Sequence, residues 1–356
     1  MTTLAELTTL RVGGEVASLV TAETEAELVD AVRTADEAGT PVLVLGGGSN
    51  VLASDDPFPG VVVRDGRRGI QIRESSACGG ADVVIPAGEV WDDVVVRAVA
   101  EGWSGVEALS GIPGSVGATP VQNVGAYGQE VGDTLAFVRT WDRGAGAIRT
   151  FARAQLELGY RTSILKRTFT VPDDSGRTWG PTPRYVVLEV GLQLPLADRS
   201  QPVRYAELAR TLDVPVGTRV ASSEVREAVL GLRRGKGMVL DAADHDTWSA
   251  GSFFTNPVLD AGASAALPAD APRFPIGDTG LVKSSAAWLI SHAGFERGHG
   301  LPGPAAVSTK HSLALTNRGG ARAADIVALA REVRDGVART FGVVLEPEPV
   351  LVGLTL

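Results

Sequence analysis

Apolar and polar residues change their spacing along the chain, and the spacing predicts both helices and strands. Thr24 and Glu27 have the spacing of a capping box, and an apolar stripe of helical period follows them. A helix is therefore predicted over residues 24–38. The apolar segments PVLVL (41–45) and VVVR (61–64) predict strands, so the pattern indicates alternating strands and helices.

From about residue 70 the pattern is richer in strands. The segments IQIRE and DVVIPAG, separated by a turn, and later TLAFVRTWD and RYVVLEVGLQL, predict strands. Beyond residue 199, helices are predicted near residues 220–237, 285–293 and 321–341, and VVLEPEPVLVG predicts a last strand. The alanine-rich stretch 259–273 is interpreted as a solvated insertion.

Composition and charge narrow the class of protein. With 356 residues, 44% of them hydrophobic and 21% charged, the chain is long enough for about two or three globular domains. The net charge of -9 argues against nucleic-acid binding and against broad affinity for membrane surfaces. No apolar run approaches the ~20 residues of a membrane span, and no secretory signal is recognised, so we expect a cytoplasmic protein without membrane insertion. The single cysteine, Cys78, excludes a disulfide framework and a Cys-rich metal site.

Two glycine-rich stretches are candidates for ligand binding. In LGGGSNVL (45–52), glycines allow close approach of the backbone, and successive amides can bind an anion. The stretch is neither a P-loop nor a Rossmann fingerprint, and by itself a tight turn is an equally good interpretation. Residues 110–128 combine small residues with Gln122, Asn123 and Tyr127, which indicates a rigid loop against a flat heterocycle and a diphosphate.

Three shorter motifs carry candidate reactive groups. In GYRTSILK (159–166), Arg161 suits a carboxylate or phosphate, although a surface arginine on a strand is the simpler reading. In AGSFFTNP, no nucleophile elbow surrounds Ser252, so a hydrolase triad is unsupported. In VVLEPEPVLVG, Glu346 and Glu348 are expected on the same side of an extended segment, which the prolines keep out of a central sheet position.

Taken together and in this order, the five motifs resemble the UDP-N-acetylenolpyruvoylglucosamine reductase family, over about residues 8–353 and in its branch with an active-site tyrosine loop. The resemblance implies an α+β protein, in which a vanillyl-alcohol-oxidase-like two-domain FAD-binding fold is joined by a third, α/β substrate-binding domain. The implied ranges are 1–69 for the first FAD-binding subdomain, 70–241 with the strand 342–356 for the second, and 242–341 for the UDP-sugar domain.

The resemblance also implies site residues. Those expected at the flavin diphosphate are Gly46, Gly47, Gly48, Ser49 and Asn50, and those around the rest of FAD are Gly111, Gly117, Gln122, Asn123, Gly125 and Ala126. Those expected at the substrate are Tyr160, Tyr205, Lys236, Asn256 and His311, the last where other members have Gln. The implied catalytic residues are Arg161, Ser252 and Glu348. Glu346 is the alternative acid, because Pro349-Val350 stands where the family often has Val-Arg.

The implied activity is reduction of a UDP-sugar enolpyruvyl ether to UDP-N-acetylmuramate. FAD, held non-covalently, passes hydride from NADPH to the substrate, Ser252 supplies the proton and Arg161 neutralises the enolate charge. No metal is expected, and a monomer is. Two rivals remain open: a UDP-sugar or flavin binding module without turnover, and a flavin oxidase that acts on alcohols with oxygen.

Overall fold

The computed structural model describes residues 1–356, the full sequence. The chain divides into two compact units, each assembled from separate stretches. Unit 1 contains Met1–Glu15, Gly48–Phe58 and Lys236–Leu356, and unit 2 contains Val16–Gly47 and Pro59–Gly235. Because these stretches cut across the three ranges expected from the sequence, the domain boundaries stay a prediction.

Helices and mainly antiparallel sheets are both present, so the α+β class is confirmed. In chain order the helices are α1 (Leu4–Leu7), α2 (Glu25–Glu37), α3 (Trp91–Ala100), α4 (Ile164–Arg167), α5 (Ala206–Thr211), α6 (Ser222–Gly235), α7 (Ala261–Ala266), α8 (Ala286–His292) and α9 (Ala323–Phe341). The strands are β1 (Val16–Ala22), β2 (Val42–Val44), β3 (Val51–Ala53), β4 (Phe58–Asp65), β5 (Gln71–Ser76), β6 (Gly80–Pro86), β7 (Gly125–Ala126), β8 (Gln129–Glu130), β9 (Leu135–Asp142), β10 (Ala147–Ala152), β11 (Tyr185–Leu194), β12 (Val258–Leu259), β13 (Phe274–Pro275), β14 (Val282–Lys283), β15 (Ala305–Val307), β16 (Leu315–Asn317) and β17 (Val350–Val352).

Unit 2 is built on a five-stranded antiparallel sheet in the order β10-β9-β11-β6-β5. The central strand, β11, is apolar and buried along almost all its length, as expected for a strand covered on both faces. Helix α3 buries Trp91, Val94, Val95 and Ala98 in the same core. A second, three-stranded sheet in the order β1-β4-β2 completes the unit.

Helix α2 of unit 2 forms as its sequence predicts. Thr24 and Glu27 make both hydrogen bonds of the capping box, which satisfies backbone amides that the helix itself leaves without acceptors. The buried face consists of Leu28, Val32 and Ala35. The predicted stripe and bounds are therefore confirmed.

Unit 1 is held together by pairing between distant stretches. Strand β17 pairs in parallel with β3, and helix α9 begins where Asp55 accepts hydrogen bonds from the amides of Ala323 and Ala324. The apolar side of α9 lies in the main core of the unit, and Gly342 ends the helix with a left-handed φ of 68°.

The interpretation of residues 259–273 as a solvated insertion holds only in part, because most of these residues are exposed but some apolar side chains belong to the core. Asp260 caps helix α7, and Leu267 and Ala271 are buried in the core of unit 1. The guanidinium of Arg273 donates hydrogen bonds to the carbonyl oxygens of Ser264, Leu267 and Ala271, which ties the end of the helix to the segment that follows it. Burial of a leucine side chain stabilises a fold by about 1.5–3 kcal/mol, so this stretch is part of the structure of the unit.

Candidate functional site

The first glycine-rich stretch packs against the second in unit 2. A Cβ atom added to Gly46 would lie 2.4 Å from Ser115 Oγ, and one added to Gly47 would lie 2.7 Å from Gly114 Cα. Only glycine at positions 46 and 47 lets the two stretches come this close. No hydrogen bond within the chain uses the amides of Gly46 and Gly47. The two stretches predicted to hold one cofactor are thus adjacent, and the first presents backbone amides without bulky side chains.

The rest of the first stretch belongs to unit 1. Gly48 has a φ of 63°, and its carbonyl accepts a hydrogen bond from Thr9. The Asn50 side chain donates to the Glu348 carbonyl at 3.3 Å, and the Asn50 carbonyl accepts from Val350 at 2.9 Å. Ser49 lies between Gly48 and Asn50 in the chain. Asn50, expected at the flavin diphosphate, therefore also fixes the backbone that carries Glu348.

The second glycine-rich stretch is anchored to helix α3 and to the five-stranded sheet. The amide of Gly111 donates to Asp92 at 2.6 Å, and the same carboxylate forms a bidentate ion pair with Arg226 at 2.7 and 2.9 Å. Burial would raise the pKa of Asp92, but the hydrogen bonds from Arg226 and Gly111 outweigh it and hold the pKa below its usual value. A Cβ on Gly117 would lie 2.5 Å from that of Ala87. The loop is therefore rigid at both places.

The GYRTSILK motif lies against this loop. Arg161 donates from Nη2 to the Gly125 carbonyl, which is followed by Ala126 in β7, at 3.1 Å. Lys166 Nζ donates to Gln122 Oε1 at 3.3 Å. The motif is a turn leading into α4, so the simpler reading, a surface arginine on a strand, is excluded.

The buried side chain of Asn123 holds the second glycine-rich stretch in place by hydrogen bonds. Its side chain is 2% exposed, donates to Glu130 and to the carbonyl of Gly159, and accepts from the amide of Gly132. These bonds tie the glycine-rich loop to the start of the GYRTSILK motif. A contact between Asn123 and a cofactor stays a prediction.

Three side-chain-bearing residues of this region have left-handed backbone conformations. The φ values are 48° for Asn123, 49° for Tyr127 and 54° for Arg161. Such conformations cost non-glycine residues on the order of 1 kcal/mol or more and are concentrated at functional sites. Their grouping supports a functional role for this part of unit 2.

Tyr205 contacts the same loop. Its ring lies edge-on to that of Tyr127, with centroids 5.6 Å apart, and its side chain is 46% exposed. Burial raises the pKa of Tyr127 to about 12, so this phenol stays protonated at neutral pH. Tyr160 lies under its neighbour, with the Arg161 guanidinium 5.7 Å from the ring centre.

In unit 1, the structure brings Ser252, Glu348 and the His311 loop to one buried residue. The amide of Phe253 donates to the Leu313 carbonyl at 2.7 Å, and its carbonyl accepts from the Glu348 amide at 2.8 Å. The Phe253 ring is fully buried. Ser252 is therefore held directly beside two hydrogen-bonded segments, one carrying Glu348 and the other following His311.

The two candidate acids have different surroundings. Glu348 is 9% exposed, whereas Glu346 is exposed to solvent. Residues 346–348 pair as an extended segment with residues 253–255, as the expectation of a shared side requires, and only Glu348 is enclosed there. Strand β17 starts only after Pro349 and belongs to a two-stranded sheet, as the prolines predict.

Lys236 and Asn256 also lie in unit 1. The side-chain oxygen Oδ1 of Asn256 accepts a hydrogen bond at 2.9 Å from the amide of Ala286, the first residue of α8. Lys236 is partly buried and precedes Gly237, which packs against the backbone of Asp246.

Supporting carboxylates were not recognised from the sequence. Glu107 is fully buried and accepts hydrogen bonds from the Gln129 side chain and from the backbone of Gly105 and Gln201. It joins both ends of the second glycine-rich loop to the segment that leads to Tyr205. Asp92 and Asp246 act similarly, and nothing in their local sequence distinguishes them from solvated acids.

The residues present fit FAD. The two adjacent glycine-rich stretches form a cradle that a Cβ atom at Gly46 or Gly47 would fill, and they offer amides to a diphosphate. No group of three or more His, Cys, Asp or Glu side chains could hold a metal ion. None of the helices combines the length and the hydrophobicity that crossing a membrane requires.

Comparisons with known proteins agree with this geometry. Residues 16–152 match the model of an FAD binding domain, and residues 243–352 match that of the UDP-N-acetylenolpyruvoylglucosamine reductase C-terminal domain. The chain is 55% identical over 355 residues to the UDP-N-acetylenolpyruvoylglucosamine reductase of Cutibacterium acnes, covering 99% of this chain and 90% of the relative. It is 53% identical to that of Saccharopolyspora erythraea, covering 99% and 95%. The crystal structure of the reductase from Thermus caldophilus matches with a TM-score of 0.62 and 25% identity, covering 99% of this chain and 97% of that one.

The glycine cradle and the matched FAD binding domain define an FAD-dependent oxidoreductase. Within that class, the chain belongs to the UDP-N-acetylenolpyruvoylglucosamine reductase family. The resemblance inferred from the five motifs is thereby confirmed.

Proposed function

We propose that the protein reduces the enolpyruvyl ether of UDP-N-acetylglucosamine to UDP-N-acetylmuramate, with non-covalently held FAD and with NADPH as reductant. The observation that carries the proposal is the placement of Ser252 and Glu348 beside the buried Phe253. The names of the full-length relatives support the same reaction. We further propose a cytoplasmic monomer that binds no nucleic acid, and the net charge of -9 supports the last of these because it disfavours contact with a polyanion.

Arg161 has the charge that the reaction requires. Bound FAD would supply the hydride for the terminal methylene carbon of the substrate. Negative charge then develops toward the substrate carboxylate as an enolate, and the guanidinium of Arg161 neutralises it. Its hydrogen bond to Gly125 and its left-handed backbone fix its direction beforehand, and fixed charge stabilises a transition state far better than mobile water does.

Ser252 and Glu348 complete the proton transfer. The Ser252 hydroxyl donates its proton to the carbon next to the one that receives hydride. A serine is a weak acid, but an enolate is basic enough to take its proton. The Glu348 carboxyl assists this transfer or polarises the enolate. The hydrogen bonds on both sides of Phe253 hold Ser252 in place, which favours reaction by orientation.

The remaining predicted contacts would bind the UDP-sugar. Lys236 suits the diphosphate, and Tyr160, Tyr205, Asn256 and His311 offer hydrogen bonds and ring surfaces to the rest. Remote binding of this kind positions the reacting atoms and raises the rate when it strengthens in the transition state.

Anaerobic spectroscopy tests the proposal. NADPH should bleach the flavin absorbance of the purified protein, and the enolpyruvyl sugar should restore it with formation of UDP-N-acetylmuramate. If the absorbance returns only when oxygen is admitted, the result would support an alcohol oxidase. If neither NADPH nor an alcohol bleaches the flavin, the result would support a binding module without turnover.

We predict that the flavin is not covalently tethered. Unit 2, which contains most of the FAD binding domain match, has no histidine, and its one cysteine, Cys78, is exposed in the turn between β5 and β6. Acid precipitation should therefore leave the yellow colour in the supernatant. Flavin that stays with the pellet after washing would contradict the prediction.

A further inference from the structure

Asp246 is a buried carboxylate outside the proposed catalytic set. Its residue is 4% exposed, and it lies in a short 3-10 helix, His245–Thr247. One oxygen accepts from Ser308 Oγ, the Thr309 amide and Arg318 Nη1 at 2.8–2.9 Å, and the other accepts from Thr309 Oγ1 at 2.5 Å. The two oxygens thus bind one short loop, residues 308–311, to a single acid.

The bonds continue from Asp246 to His311. Ser308 Oγ donates to Asp246 and in turn accepts from the amides of Lys310, at 3.0 Å, and His311, at 3.2 Å. The His311 carbonyl accepts from Ala314, which closes the loop. The direction in which His311 leaves the loop therefore depends on the hydroxyl of Ser308, and that hydroxyl is held by Asp246.

The carboxylate is stable in its charged form. Burial would raise the pKa of Asp246, but the hydrogen bonds from Thr309 and Ser308 and the charge of Arg318 lower it overall. Lys310 adds a separate tether, with its ammonium 2.5 Å from Asp244. An ionised acceptor with several donors holds a loop more firmly than a neutral one.

We propose that Asp246 is a positioning residue that orients His311, through Ser308, toward the UDP-sugar. The inference rests on the proposed function, which places His311 at the substrate. The proposal gives Asp246 no contact of its own with substrate or flavin, because both of its carboxylate oxygens are engaged by protein donors. Its effect should appear in substrate binding and should pass through His311.

The test is a double-mutant cycle of Asp246→Asn and His311→Ala. For Asp246→Asn we expect the KM for the enolpyruvyl sugar to rise about tenfold, the scale of one charge-assisted hydrogen bond, with kcat within about twofold. In the His311→Ala background the same change should add little, because two residues that act through one contact are not additive. Calorimetric titration with UDP-N-acetylglucosamine should show the same pattern in Kd.

Asp55→Asn is the matched control. It removes another acid of unit 1 that binds backbone amides, those of Ala323 and Ala324, and should lower stability without changing KM. If Asp246→Asn does not fold, Ser308→Ala is the alternative. It removes only the hydroxyl that links Asp246 to the His311 amide, and it should raise KM by itself.

Distinct outcomes separate the two proposals. Wild-type turnover with an unchanged KM and Kd in Asp246→Asn, or full additivity with His311→Ala, would overturn the positioning role and leave the reductase function intact. Absence of reductase turnover in the wild type, with a Kd that still follows the cycle, would overturn the function and keep the role of Asp246. A wild type that neither turns over the enolpyruvyl sugar nor binds UDP-N-acetylglucosamine would overturn both.

Discussion

Ser252→Ala is expected to slow reoxidation of the flavin by the enolpyruvyl sugar by about 10²–10⁴-fold, the usual contribution of general acid catalysis. The hydroxyl supplies a proton only after enolate charge begins to develop. Flavin reduction by NADPH needs no proton at that position and should keep nearly its full rate. Rapid-mixing absorbance of the flavin times the two half-reactions separately on one preparation.

Ser284→Ala is the control for loss of a buried hydroxyl in unit 1. Ser284 Oγ donates to the Pro272 carbonyl, within the stretch whose burial the sequence did not reveal. Its removal should leave both half-reactions near their wild-type rates. Equal slowing of the two halves by Ser252→Ala would show that the hydroxyl is structural and would remove it from the mechanism.

Glu348→Gln should lower kcat by about 10²-fold or more, whereas Glu346→Gln should change it by less than about twofold. The two substitutions are chemically identical and two residues apart. They differ because Glu348 is buried beside Phe253 and Glu346 is exposed. Steady-state kinetics with FAD-saturated protein measures both.

Thermal unfolding of both variants accompanies the kinetics. Glutamine keeps the backbone bonds of residue 348 to Phe253 and Asn50, so neither variant should lose much stability. A large loss of kcat in Glu346→Gln with a normal Glu348→Gln would move the catalytic acid to Glu346. Normal turnover in both would leave the reaction without a carboxylate.

The sequence predicted correctly those helices and strands that are determined by side chains close together in the chain. The capping box at Thr24 and Glu27 and the stripe behind it give helix α2 almost to the residue. The near-continuous apolar run of β11 likewise predicted a strand, which the structure confirms and buries. In such segments, the side chains that decide the structure are neighbours in the chain.

Elements that depend on distant partners were not predictable in this way. Residues 259–273 are rich in small side chains and have no strong period, yet Leu267 and Ala271 are buried against a core built from much later residues. Asp246 resembles any acid of a polar turn until residues 308–318 fold against it. Period 2 placed Glu346 and Glu348 on one side but could not show that only Glu348 is buried, because its neighbours come from residues 50 and 253.

The order of the motifs was enough to predict the candidate site, but not the hydrogen bonds that connect its residues. The motifs named Gln122, Gly125, Arg161 and Lys166, and the structure joins them in pairs. No spacing rule could show that Asn123 braces its own loop or that Glu107 closes it. Whether each predicted residue contacts a ligand stays a prediction that the substitutions above test.

The long-range pairing of unit 1 sets an order of events during synthesis. Asn50 and Glu348 are 298 residues apart, and Asp55 and Ala323 are 268 apart. All of unit 2 has been translated once Gly235 is added, but the early stretches of unit 1 still lack their partners. At 5–20 residues per second, residues 236–356 take roughly 6–24 s to make. Throughout that time Leu10, Val12 and Leu52 have no complete core to enter, so these apolar side chains are open to chaperones and to aggregation until unit 1 is completed.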